Sequence, residues 1–230
     1  LLLIESARLL GLQESGRASP VEALNLRLIT PVLKLYTAKK CVPLISEGIE
    51  CFGGQGYIED TGLPTLLRDA QVTPIWEGTT NVLSLDVLRV FGGKDNVMGA
   101  FHKHIESILD GVKTKNIGGQ LEQCDKAVRK GLAHLASTLM KVQDKALVET
   151  MQIERCAREI AFSIARIYAG ALLTAHAADP IGTQSDKNAA FRFCVEEGLT
   201  ELDADMFLAE RSSKDRELVY ENFANFASKI

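Results

Sequence analysis

The segment Ile75-Trp76-Glu77-Gly78-Thr79-Thr80 puts one carboxylate between apolar residues and a glycine-threonine step that can open a helix. A carboxylate shielded from water favours its neutral form, and one placed beside an acidic C–H can act as a base. Glu77 is therefore a candidate base at the floor of a pocket, beside Trp76 and Gly78. The plainer account makes Glu77 an acid leading into the next helix, where the positive end of the helix dipole favours it. Local physics alone favours the plainer account. Upstream, Gly53-Gly54-Gln55-Gly56 is a glycine-rich loop whose amides could approach a phosphate closely. A dinucleotide fingerprint needs a strand before the glycines and a helix after them. Here a helix precedes and a loop follows, so a helix stop with a left-handed glycine is the simpler reading.

Other residue types offer less. His102 and His104 are two apart and face different sides of a helix, and His134 and His176 are isolated, so metal ligation is not indicated. No serine lies in a Gly-x-Ser-x-Gly context. The five cysteines, at 41, 51, 124, 156 and 194, form no Cys-x-x-Cys pair and read as core filler in a reducing compartment.

Helix is the dominant signal around these residues, and alternating strand patterns are absent. Residues 1–14 read as one helix, and Ser19-Pro20 as an N-cap followed by proline at the first helical position. Thr30-Pro31 predicts a new helix or a kink, and Pro43 a bend. That run ends at Gly53-Gly54. Residues 57–78 read as loop with a short helix near 63–70, and the next helix runs from Thr79 or Thr80 to Arg89. Asp95 is the expected cap of a helix to about Val112. Long helices follow near 120–143 and 146–177, the second with Ile153, Ala157, Ile160, Ile164, Ile167 and Ala171 on one face. Asp179-Pro180-Ile181-Gly182 breaks it, and shorter helices are expected at 186–197 and 214–229. The fold class is all-α, an up-and-down helical bundle. The expected boundary is Gly92-Gly93-Lys94, dividing residues 1–93 from a helical extension at 94–230, and a single continuous bundle also fits.

Composition bounds the rest. The chain has 230 residues, 46% of them hydrophobic and 24% charged, with net charge -4, so nothing in the total asks for nucleic acid or an anionic membrane. No uninterrupted apolar run reaches the roughly 18 residues of a membrane span. Residues 113–166 hold ten basic against six acidic residues, and residues 185–230 six against ten. A solvated helix face accounts for the basic stretch better than a nucleic-acid surface, which lacks aromatic interleaving. Leu1 to Leu10 reads as the middle of an amphipathic helix without a basic leader. The start is therefore expected to be a cut through a longer intracellular protein, cytoplasmic or mitochondrial, with any targeting signal upstream.

Set in order, Gly53-Gly54-Gln55-Gly56-Tyr57, Arg68-Asp69-Ala70, Trp76-Glu77-Gly78-Thr79 and Arg89 resemble the C-terminal signature of the acyl-CoA dehydrogenase flavoproteins. Leu26-Arg27-Leu28 before Thr30-Pro31-Val32, together with Pro43, Leu63-Pro64, Asn81 and Leu85-Asp86-Val87-Leu88-Arg89, is similar to the AidB-type branch and its animal relatives. The resemblance covers residues 1–92. It implies that FAD takes a hydride from the β-carbon of an acyl-CoA while Glu77 removes the α-proton. It implies further that Gly78, Thr79 and Asn81 approach flavin and substrate, and that Gly53 and Gly54 meet the FAD of a neighbouring subunit in a dimer or tetramer.

Two positions depart from most of the family: Glu50 where Gln is usual, and Asn81 where a longer Gln is usual. A carboxylate at position 50 would repel a phosphate unless it were protonated or turned away. Upstream family elements that cover flavin and acyl chain are expected to precede Leu1, so the isolated chain should hold FAD weakly or not at all. The rival readings are a flavoprotein relative that binds acyl-CoA without turnover, and a protective protein contacting DNA. The acidic 185–230 segment speaks against the second.

Overall fold

The computed structural model describes residues 1–113, 119–143, 153–200, 202, 214 and 217–220. Among these residues the chain is helical and has no strand. Helix α1 spans Leu2–Glu14, α2 Pro20–Glu50, α3 Leu63–Val72, α4 Thr80–Phe91 and α5 Val97–Lys113. Helix α6 spans Gln120–Gln143, α7 Ala157–Ala177 and α8 Gln184–Phe191. Short 3-10 turns lie at Gly53–Gly56, Glu59–Thr61 and Ile153–Cys156, and a π-helical turn at Arg192–Glu196 extends α8. Of the helix expected from 146, residues 146–152 lie outside the described residues. Of that expected at 214–229, Lys214 and residues 217–220 are helical and the rest lies outside.

The long helix α2 is the ruler of the fold. It starts where Ser19 accepts the amide of Glu22 while the Glu22 side chain returns to the Ser19 amide, a capping box with Pro20 beginning the helix. No new helix begins at Thr30-Pro31: α2 is continuous through both prolines. An interior proline costs about 3 kcal/mol. Leu28, Ile29, Val32 and Leu35 flank Pro31 and are at most 1% exposed, and each such burial stabilises by roughly 1.5–3 kcal/mol, so packing outweighs the proline. Thr30 turns its hydroxyl back onto the Leu26 carbonyl, 2.7 Å away. At α5 the cap is Asn96 and not Asp95, since Asn96 Oδ1 accepts the Gly99 amide at 2.8 Å.

Helix α7 is the centre of the bundle. It packs against α1, α2, α4, α5, α6 and α8, and Ile160, Ile164, Ile167 and Ala171 are fully buried. Ile153–Ala177 has the length and, at a mean hydropathy of 1.3, the composition of a membrane span, although Arg158, Glu159 and Arg166 interrupt its apolar run. Its apolar surface is spent on the core, with 72% of that window buried inside the bundle. The core is one cluster that joins α2 and α4 to α5, α6 and α7. Cys124, Cys156 and Cys194 are buried in it as core filler, whereas Cys51 is exposed.

A buried polar joint ties the first helix to the later ones. Glu5, 8% exposed, accepts from His104 Nε2 at 3.0 Å and Tyr168 Oη at 3.2 Å, and Arg8 bridges both its oxygens. Burial alone would raise the Glu5 carboxyl, but the hydrogen bonds from Arg8 and His104 and their charges outweigh it and hold it at about 2. Burial, and then the Glu5 charge, push the Tyr168 hydroxyl well up.

Candidate functional site

The candidate residues fall in two groups set along α2. The first is the turn between α3 and α4. Thr73 closes α3, its hydroxyl reaching the Ala70 carbonyl at 2.7 Å and the Ala38 carbonyl of α2 at 3.4 Å. Glu77 then sits at φ 52° and Gly78 at φ 104°. Glu77 is the one non-glycine residue with positive φ among the described residues. Such a conformation costs an ordinary L-residue about 1–2 kcal/mol and marks functional turns. Thr79 accepts the Val82 amide and caps α4.

Lys34, on α2, holds this turn. Its ammonium donates to the Trp76 carbonyl at 2.7 Å and to the Gly78 carbonyl at 2.6 Å, the two sides of Glu77. Hydrogen bonds from a charged donor contribute about 1.5–3 kcal/mol each, enough to offset the strain. Below the turn, Arg27 grips both carboxylate oxygens of Asp86 at 3.0 Å, fixing α4 to α2 a second time. Sequence reasoning missed Lys34. Its signal was a lone cation in the apolar run Val32-Leu33-Lys34-Leu35.

The dry setting expected for Glu77 is not furnished by these residues. Glu77 is exposed, and Ile75 and Trp76 keep 61% and 59% of their surfaces open. The turn lies at the edge of the bundle, so its apolar residues point outward instead of closing over the carboxylate. Asn81 is also exposed and borders a cleft of about 520 Å3 shared with Ser84, with Arg155 of the Ile153–Cys156 turn and with Arg158 at the start of α7.

The second group follows the C-terminus of α2. Gly53, at φ 55°, and Gly54 are exposed, and a Cβ at either would meet nothing within 4 Å. Gly53 thus takes the left-handed conformation that the helix-stop reading expects, just past the end of α2. Gly56 is tight instead: a Cβ there would overlap the Ile49 carbonyl. A cleft of about 630 Å3 opens beside the glycines, bordered by Glu50, Tyr57 and Arg68. Arg68 grips both oxygens of Glu59 at 2.8 and 3.0 Å and so braces the loop into α3. Sixteen residues of α2 separate Lys34 from Glu50, about 24 Å along the axis at 1.5 Å per residue. Glu77 and the glycine turn are therefore not brought together within one chain.

Elsewhere, no three His, Cys, Asp or Glu among the described residues gather as a metal site would require. His104 is a satisfied core histidine. Part of the basic stretch is spent internally: Arg129 pairs with Glu106, Asp110 and Asp125, and Arg166, 6% exposed, donates to the Gly198 carbonyl.

Comparison with known proteins places this architecture. Residues 2–92 match the acyl-CoA dehydrogenase C-terminal domain family, and residues 96–220 match the acyl-CoA dehydrogenase 11 C-terminal domain-like family. The chain belongs to the acyl-CoA dehydrogenase family. It is 58% identical to acyl-CoA dehydrogenase family member 11 of Caenorhabditis elegans over 97% of its own length and 36% of that protein's. A more distant acyl-CoA dehydrogenase relative is the Escherichia coli protein named putative acyl-CoA dehydrogenase AidB, 38% identical over 50% of this chain and 19% of that protein. The crystal structure of Caenorhabditis elegans ACDH-11 in complex with C11-CoA superposes with a TM-score of 0.93 over 96% of this chain and 37% of that one. The chain thus spans about a third of the length of the first of the relatives it matches.

Proposed function

We propose that the chain supplies the base-bearing helical part of an FAD-dependent acyl-CoA dehydrogenase-like protein, with Glu77 removing the α-proton of an acyl-CoA thioester. The observation that carries this reading is the Glu77 turn itself. A carboxylate is presented to open space on a left-handed residue that two hydrogen bonds from Lys34 hold in place. A thioester acidifies its α-carbon, so a carboxylate held at hydrogen-bonding distance can take that proton. FAD, when bound, accepts the hydride that leaves the β-carbon. Gly78 and Thr79 lie in the same turn and would approach flavin and substrate.

The exposed glycines Gly53 and Gly54 fit close approach by a phosphate-bearing cofactor, since neither carries a side chain and the space a Cβ would enter is open. Their distance from Glu77 along α2 favours service to the FAD of a second copy, and hence a dimer or tetramer. The outward apolar residues Tyr57 and Trp76, 85% and 59% exposed, fit the same picture of a site walled partly by other segments. A relative bound to C11-CoA makes a medium-to-long acyl-CoA the first ligand to test. The experiment is an anaerobic spectrum of the full-length protein against a panel of acyl-CoAs of increasing chain length. Bleaching of the flavin band by at least one acyl-CoA is expected.

Glu50 favours a second reading, an acyl-CoA binder without turnover. It puts a carboxylate on the cleft beside Gly53, where it would disfavour a phosphate. Tight acyl-CoA binding with an unbleached flavin band would select that reading.

A further inference from the structure

We infer that Lys34 is a positioning residue for the base, locking the direction in which Glu77 presents its carboxylate; this rests on the reading of Glu77 as the base. The two carbonyls it holds belong to the peptide units Trp76–Glu77 and Gly78–Thr79. Between them lie both left-handed residues of the turn, Glu77 at φ 52° and Gly78 at φ 104°. Relaxing Glu77 to a right-handed conformation rotates one of these peptide planes and breaks a hydrogen bond to Lys34. The clamp is thus tied to the one strained non-glycine residue among those described, and not to the helix start that follows it. Thr79 caps α4 without help from Lys34.

The anchor is itself rigid. Lys34 stands between Val32 and Leu35, which are 0% and 1% exposed, on a helix packed against α4, α5 and α7. Its short distances to backbone oxygens engage the ammonium with the turn, so it acts through Glu77 and not on substrate. A general tether between α2 and α4 would do less. That job is already done by Arg27 on Asp86, whose hydrogen bonds join α2 to α4 outside the turn. Arg27→Gln is therefore the structural control.

The test compares Lys34→Met, Arg27→Gln and Glu77→Gln in the full-length holoprotein. Two readouts are used: the rate at which a saturating acyl-CoA exchanges its α-protons with deuterated water, and amide hydrogen exchange across residues 76–80. Lys34→Met should slow α-proton exchange about tenfold or more, with the acyl-CoA Kd unchanged within about twofold, and should speed amide exchange in the turn while α4 stays protected. Arg27→Gln should change neither the rate nor the turn. Equal losses in both variants, or a wild-type rate in Lys34→Met, overturn the inference. Should Lys34→Met not fold, Lys34→Gln keeps most of the stem and one donor and should show the same split at about threefold; no split overturns the inference. Wild-type exchange in Glu77→Gln instead overturns the reading of Glu77 as base, and so separates the two failures.

Discussion

Lys34 Nζ lies 2.6 Å from the carbonyl oxygen of Gly78 and 2.7 Å from that of Trp76, so a single side chain of α2 brackets the carboxylate that the signature marks. The strain at Glu77 and the bonds that hold it belong to one arrangement. Local sequence offers the strained turn, and a lysine 43 positions earlier makes it affordable.

Gly78→Ala tests the backbone half of that arrangement. At φ 104° an added Cβ is strained, and it would stand 3.0 Å from Leu83 Cδ2. The expected loss is about 1–3 kcal/mol of stability in chemical denaturation. An unchanged midpoint would mean that the turn relaxes freely.

The glycine turn separates structural from functional glycines. Gly56→Ala meets the Ile49 carbonyl and should cost about 2 kcal/mol or more, because backbone must move. Gly54→Ala meets nothing and should leave stability within about 0.5 kcal/mol. If Gly54 serves FAD as proposed, Gly54→Ala in the full-length protein should still lower retained FAD per chain. Denaturation curves and the flavin-to-protein absorbance ratio read the two effects independently.

The Glu5 joint predicts an acid-sensitive core. The Glu5 carboxyl is held at about 2 in the folded protein against an ordinary 4.5. A depressed carboxyl stabilises the fold above its unfolded value, and that stability is lost as pH falls from about 4.5 through about 2. The contribution is on the order of 2–3 kcal/mol. Glu5→Gln should be less stable at pH 7 and should show a flatter stability curve across that window. A Glu5→Gln curve parallel to wild type would refute the joint.

Much of this fold was legible because its signals are local. Ser19-Pro20 spells an N-cap followed by proline, Gly78-Thr79 a step that opens a helix, and Asp179-Pro180 a stop, and each acts within a turn of chain. Of the two outcomes read at Thr30-Pro31, the new helix fails because the packing that keeps α2 continuous, by Val32 and Leu35 against the core, is tertiary. The Asn96 cap was misread as Asp95 because both are good caps one residue apart. The Glu5–His104–Tyr168 joint was invisible because its members lie 99 and 163 residues apart. The candidate site was legible as a signature and not as a pocket. Glu77 and its glycine and threonine neighbours share a turn, but the walls that would dry the carboxylate are not among the described residues.

The most direct test of the central claim is anaerobic flavin reduction by a medium-chain acyl-CoA in the full-length Glu77→Gln protein. The amide keeps the shape and the FAD but takes no proton. The expected result is retained FAD and a reduction rate lowered by about 100-fold or more. Retained FAD with a wild-type reduction rate would contradict the assignment of Glu77 as the base.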